Sequence, residues 1–170
     1  VPGLATGHPS IAAILLSHGH QDHWGLIDQV HRSIPVYIGK RAADVLRAAD
    51  FWGAGIDLCE RGHFDDRVPM SIGEFTVTPY LVDHSGFDAY AFVIEAAGQR
   101  LMYSGDFRGH GRKSSVFERL IADPPGDIDA LLLEGTHVGQ ASAGHGLTSE
   151  AQVEESLAEL AGSTNGAVVT

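Results

Sequence analysis

Four groups able to hold a metal ion are packed into the six positions His18-Gly19-His20-Gln21-Asp22-His23. Neutral imidazole and carboxylate suit zinc, and also manganese or iron. In an extended segment, residues two apart face the same side, so His18 and His20 can grip one ion together where a strand ends. Gly19 gives the chain freedom for a tight approach. Asp22 and His23, at the start of a following helix, can then reach a second ion beside the first. A purification tag or a surface histidine tract does not fit, because the cluster follows an apolar run and Asp22 breaks the repeat.

These side chains need elements to hold them. The apolar run from Ile11 to Ser17 predicts a strand covered on both faces, ending at the cluster. Leu26, Ile27 and Val30 give a helical stripe, Pro35 to Gly39 a short strand, and Lys40 to about Trp52 a helix with Ala42, Ala43, Val45, Leu46 and Ala49 at helical spacing. Phe75 to Val82, Tyr90 to Glu95 and Arg100 to Tyr103 are rich in aromatic and β-branched residues, the last two joined as a hairpin through Ala96-Ala97-Gly98-Gln99. A helix over Ser114 to Ala122 and a buried strand over Ala130 to Glu134 follow. Another helix opens at Ser149, where Ser149-Glu150-Ala151-Gln152 forms a capping box and Val153, Leu157 and Leu160 supply a buried stripe. Val1 is no initiator and the strand Gly166 to Thr170 stops abruptly, so both ends are expected to be cuts in a longer chain. The mixture predicts an α/β (α+β) fold, with helices outside two sheets, in one domain over residues 1–170.

Composition narrows the setting. With 170 residues and a single cysteine, Cys59, the chain has neither a disulfide framework nor a Cys-rich zinc site, which suits a reducing cytoplasm. Cys59 itself reads as a buried apolar residue. No apolar run is long enough to cross a bilayer, so no membrane association is expected. The net charge of −11 opposes a broad phosphate-binding surface, but two divalent ions would create a local positive field among their ligands.

With its flanks, Ile14-Leu15-Leu16-Ser17 before and Trp24-Gly25-Leu26 after, the histidine cluster resembles the signature of the metallo-β-lactamase superfamily. Leu81-Val82-Asp83-His84-Ser85 resembles the third motif of that family and Tyr103-Ser104-Gly105-Asp106-Phe107 the fourth. Their order and the hairpin between them match as well, and the resemblance runs from about Ile11 to Thr170. It implies an αββα sandwich, here incomplete, and a metal-dependent hydrolase. It further implies that His18, His20 and His84 hold one ion, Asp22 and His23 the other, and that Asp106 bridges. Two such ions, zinc first and manganese second, lie about 3.5–4 Å apart, share a hydroxide and stabilise charge on the attacked group. Taken alone, His84 is an ordinary histidine and Ser-Gly-Asp an ordinary turn. Both gain weight from falling in order behind the first cluster.

Ser104-Gly105-Asp106-Phe107-Arg108, Asp83-His84-Ser85 with Asp88-Ala89-Tyr90, and Leu131-Leu132-Leu133-Glu134-Gly135-Thr136-His137 resemble the ribonuclease J and beta-CASP nuclease branch. Glu134, with Gly144-His145-Gly146-Leu147-Thr148, is also similar to a ribonuclease Z pattern in which such a glutamate and histidine assist leaving-group protonation. His145 is equally a turn residue before a helix cap. The resemblance thus implies catalytic roles for Asp22, Glu134 and His145 and a nucleic-acid or other phosphodiester substrate. Arg108-Gly109-His110-Gly111-Arg112-Lys113 is a basic loop that could guide phosphate, or a solvated turn. The family's strands before the first motif, its last histidine and the beta-CASP insertion are missing. His137 or His145 would have to serve as a seventh ligand, and neither sits where the family pattern places it. Two rivals follow from these gaps and from the acidic charge: a lactone, thioester or β-lactam hydrolase, and a metal-binding domain that is inert or completed by a second copy or a partner chain.

Overall fold

The computed structural model describes residues 1–49, 56, 58–136 and 148–167. The strands are β1 (Ile14–Leu16), β2 (Val36–Gly39), β3 (Gly62–Phe64), β4 (Met70–Ile72), β5 (Phe75–Val82), β6 (Ala89–Ala96), β7 (Gln99–Tyr103) and β8 (Ala130–Leu132). The helices are α1 (Gln21–Trp24), α2 (Lys40–Ala48), α3 (Ser114–Ala122) and α4 (Glu150–Ser163), with a 3-10 turn at Ile27–Gln29. β1, β2 and β3 form a parallel sheet. β4 to β8 form a second sheet in chain order, antiparallel until β8 joins β7 in parallel.

Layering follows from where the apolar side chains go. Ala42, Ala43 and Leu46 of α2 pack on Leu16, Val36 and Ile38 of the parallel sheet. Leu120 of α3 packs on Val82, Ala89 and Ala91 of the other sheet. Between the sheets lie Phe64, Val77, Tyr90 and Phe92, with Leu15 and Tyr37 reaching in from the parallel side. The result is the expected αββα sandwich. The ladder between β5 and β6 runs from Thr76 opposite Glu95 to Val82 opposite Ala89. Pro79 is tolerated in it because its carbonyl accepts from Arg67 N–H at 2.7 Å on the side away from β6, so its missing donor would have faced that same side. The β6–β7 hairpin turns at Ala97 and Gly98, both with positive φ (50° and 75°), as a tight hairpin of this hand demands.

Several expectations are corrected. The first strand holds only Ile14–Leu16, and the stripe at Leu26, Ile27 and Val30 is one 3-10 turn, too short a segment to sustain a helix. β3 and β4, three residues each, carry too little pattern to be read from sequence. The helix from Lys40 is assigned to Ala48, and Trp52 lies outside the described residues. β8 is exposed rather than buried, with Leu132 at 55%, because among the described residues it is an edge strand with β7 alone beside it. α4 has its capping box, Ser149 Oγ accepting from Gln152 N–H, but Val153, Leu157 and Leu160 face water since no described element packs on them. Cys59 is exposed, not buried. Of the final strand expected over 166–170, Gly166 and Ala167 are not extended into a ladder and 168–170 lie outside the described residues. No helix among the described residues is long and apolar enough to cross a membrane.

One polar contact joins the layers beside the histidines. The carboxylate of Asp88, on the loop between β5 and β6, accepts from the N–H groups of Arg41 (2.7 Å) and Ala42 (3.4 Å), capping α2 from across the molecule. Its other oxygen accepts from the Tyr90 hydroxyl at 3.0 Å, which burial and the Asp88 charge keep protonated. Asp88 itself has φ of 62°, a conformation Asp and Asn tolerate better than other side chains. Asp88→Ala should therefore lower unfolding free energy by about 2 kcal/mol in urea titration, and Asp88→Asn by less. Equal stability of all three proteins would show that the cap contributes nothing.

Candidate metal centre

The chain leaves β1 at Leu16 and delivers Ser17 and His18 into the interior. Ser17 C=O accepts from Tyr90 N–H at 2.9 Å, which fixes the end of β1 against β6. His18 is 0% exposed. Two residues on, His20 precedes the short helix α1, whose first turn carries Asp22 and His23. The indole N–H of Trp24 donates back to Gly19 C=O at 2.9 Å, closing the turn. The loop after β5 brings His84, and the loop after β7 brings Asp106.

Three ring nitrogens converge. His18 Nε2 and His84 Nε2 each lie 3.1 Å from His20 Nδ1. An imidazole nitrogen has one in-plane lone pair, so His20 Nδ1 cannot accept two well-aligned hydrogen bonds, whereas one cation accepts all three lone pairs. A tetrahedral zinc with arms of about 2.0–2.1 Å has ligand atoms roughly 3.3 Å apart, close to what is found. Beside this triad, His23 Nε2 lies 3.4 Å from Asp106 Oδ2 and 3.5 Å from Asp22 Oδ2. One atom each from His18, His23 and Asp106 falls within 4.8 Å of the others, as for His18, His20 and His84. Asp22 is more open, its side chain 76% exposed. The donor chemistry and spacing thus fit divalent cations. The structure brings together His18, His20, Asp22, His23, His84 and Asp106; His137 and His145 lie outside the described residues.

Electrostatics prepare the rings to bind a cation. Burial holds the His18 pKa down at about 3, reinforced by His23, His84 and His20. His84 is lowered by burial first and by His20 second. Both rings therefore remain neutral, with a lone pair to give, at pH 7. Ser17 selects which lone pair: its Oγ lies 3.1 Å from His18 Nδ1 and 3.5 Å from His23 Nδ1, leaving both Nε2 atoms facing the site.

The surrounding residues supply positions rather than ligands, and most have no spacing that would mark them in the sequence. A Cβ on Gly86 would fall 3.0, 3.3 and 3.4 Å from ring carbons of His18, His84 and His20, so only hydrogen fits comfortably there. Gly105, at φ of 55°, would press a Cβ to 2.9 Å from Tyr90 C=O. Asp83, 0% exposed, accepts from Gly111 N–H through its side chain and from Arg108 N–H through its carbonyl, both at 2.7 Å. It thereby ties the loop of His84 to that of Asp106. Arg108 Nε lies 3.5 Å from the Asp83 carboxylate, and its Nη2 donates to Glu150 at 2.6 Å. Glu134 sits at the end of β8 with Oε1 accepting from Phe107 N–H (2.9 Å) and Oε2 from Thr136 N–H (3.2 Å). Burial raises its pKa, but these hydrogen bonds outweigh burial and leave it below the usual carboxylate range. A separate apolar cleft of about 380 Å3, between α3 and the outer face of the second sheet, includes Phe117, Leu120 and Leu131 and has no metal-ligating side chain in its lining.

Known proteins bear on this geometry. The family described as "Beta-lactamase superfamily domain" matches residues 1–166. Ribonuclease J of Helicobacter pylori (strain ATCC 700392 / 26695) is 29% identical over 103 residues, 58% of this chain and 15% of that protein. Ribonuclease J of Sinorhizobium meliloti is 25% identical, covering 97% of this chain and 30% of that protein. The chain thus spans less than a third of the length of either relative. A crystal structure of a protein of unknown function from Enterococcus faecalis V583 superposes with a TM-score of 0.72 at 20% identity, covering 87% of this chain and 38% of that one. The MIM-2 metallo-β-lactamase superposes at 0.51 with 23% identity, covering 70% and 53% of the two chains.

The low pKa of His18 has a definite sign. Unfolded, the ring titrates near 6.5; folded, it titrates at about 3. Between these values the unfolded state holds the extra proton, so acid favours unfolding. In metal-free protein the His18 ring should stay neutral at about pH 5 by imidazole NMR, and the urea midpoint should be lower at pH 5 than at pH 7. A ring that titrates near 6.5 would contradict this.

Proposed function

The chain belongs to the metallo-β-lactamase superfamily, and on that premise we propose that it hydrolyses phosphodiesters in nucleic acid with a pair of divalent cations, zinc first and manganese second. The observation that carries this is the meeting of five separate chain positions, His18, His20, His23, His84 and Asp106, as imidazole rings and a carboxylate around one small volume. The likeness to ribonuclease J at 25% and 29% identity supports RNA as the substrate class.

His18, His20 and His84 would hold one cation; His23 and Asp22 would hold the other, with Asp106 between. Bound there, the cations supply Lewis-acid activation of water and offset charge at the attacked phosphorus. The chain's own residues do the rest. Asp22, next to His23 and open to solvent, is proposed as the base that takes a proton from the attacking water. Ser17 keeps the His18 and His23 rings turned. Glu134, held ionised, acts as an acceptor that fixes the Phe107 backbone next to Asp106. His145 is proposed as donor to the leaving oxygen, a role imidazole can fill near neutral pH. The same unit is proposed to work in the cytoplasm, with a second copy or a partner chain completing the wall beside β8.

The net charge of −11 favours a second reading, a small-molecule lactone, thioester or β-lactam hydrolase. Assays of zinc- and manganese-loaded protein on RNA, bis-p-nitrophenyl phosphate and nitrocefin separate the two. Turnover of both phosphodiesters without nitrocefin is expected, with His20→Ala and Asp106→Ala each lowering kcat/KM by more than about 100-fold. Nitrocefin turnover without phosphodiester cleavage would select the second reading.

A further inference from the structure

Resting on the phosphodiester reading, we propose that Phe87 and Lys113 form a nucleotide subsite beside the metal centre, where the Phe87 ring stacks one base of a single strand and the Lys113 ammonium pairs with its phosphate. Phe87 lies three residues beyond His84 on the same loop. It is 59% exposed, the one aromatic among the exposed large apolar side chains of the described residues. A ring left this far in water forgoes the burial its area offers, and its surface away from the Lys113 ammonium suits a flat partner.

Lys113 supplies the charge. Of the eleven basic residues in the chain, three stand within 108–113. Arg108 is bound to Glu150 and Asp83, and Arg112 to Glu154. Lys113 forms no ion pair among the described residues. Its Nζ donates to Val82 C=O at 3.4 Å and sits 5.4 Å from the centre of the Phe87 ring, which leaves donors for a ligand. Both residues line a cleft of about 620 Å3 that also includes His84 and Ser85, so an occupant touching Phe87 lies next to a metal ligand. In an acidic chain, an unpaired ammonium beside an open ring at the mouth of a cation site selects for a polyanion with flat groups. Stacking on Phe87 requires an unpaired base, which excludes a duplex.

Two readouts test this. Binding of a fluorescent single-stranded oligoribonucleotide to metal-loaded protein is followed by anisotropy, with the same sequence as deoxyribonucleotide and as duplex RNA for comparison. Turnover is followed on the oligonucleotide and on bis-p-nitrophenyl phosphate, which has no base. Phe87→Ala should weaken single-strand binding and raise KM for the oligonucleotide about 10-fold with kcat unchanged, while Phe87→Trp restores binding. Lys113→Gln should weaken binding and flatten its salt dependence, and Lys113→Arg should restore both. Equal binding of the two strands places selection on base and phosphate; tighter RNA binding adds a sugar contact to the same subsite. Single-strand affinity unchanged in Phe87→Ala and Lys113→Gln, or duplex bound as tightly as single strand, overturns the subsite. Binding that depends on Phe87 without cleavage of either substrate keeps the subsite and removes the hydrolytic reading.

Discussion

Several imidazole rings forced together with their nitrogens facing inward are stable only while they stay uncharged, and this constraint organises the molecule. Burial raises the cost of protonating His18 and His84, and neighbouring rings add to it: His23, His84 and His20 at His18, and His20 at His84. Lone pairs that burial and crowding keep free of protons are open to a divalent cation, which brings two charges to one point instead of one charge to each ring. The framework is arranged to keep the rings in place. Ser17 turns two of them, Gly86 leaves room for three, and Gly105 lets the Asp106 loop pass against Ser17 and Tyr90.

No single element carries the site. His18 ends a strand of one sheet, while His84 and Asp106 follow strands of the other, so the cluster exists only if the two sheets keep their relative positions. Apolar packing between Tyr37, Phe64, Tyr90 and Phe92 sets that distance in bulk. Polar contacts then fix the loops themselves. Asp88 binds the His84 loop to the start of α2, and buried Asp83 binds it to the Asp106 loop. Each of these carboxylates meets backbone donors at one loop or helix end, where the donors have no ladder partner to satisfy them.

Most of the candidate ligand set is legible because it is local: two histidines at strand spacing, then Asp22 and His23 within one helical turn. His84 and Asp106 were legible only through motif order, since nothing in a lone His or a Ser-Gly-Asp turn announces that it faces a histidine more than sixty residues away. The long strands β5 and β6 and the hairpin to β7 were read from their β-branched and aromatic content. Three-residue β3 and β4 have too little pattern, and β8 and α4 show how apolar content alone misjudges burial. Leu131, Leu132 and Leu133 look like a core strand, yet burial depends on a neighbour that the periodicity does not supply. The supporting roles of Ser17, Gly86 and Asp83 are tertiary facts. Each depends on which ring or backbone group stands opposite.

The most direct measurement is anomalous X-ray diffraction from crystals of the chain grown with zinc, collected on both sides of the zinc edge. Two peaks about 3.5–4 Å apart are expected, one among His18, His20 and His84 and the other beside His23, Asp22 and Asp106. A site without zinc, or zinc bound only to surface histidines such as His8 and His31 while His18, His20 and His84 stay bare, would contradict the metal centre on which the function rests.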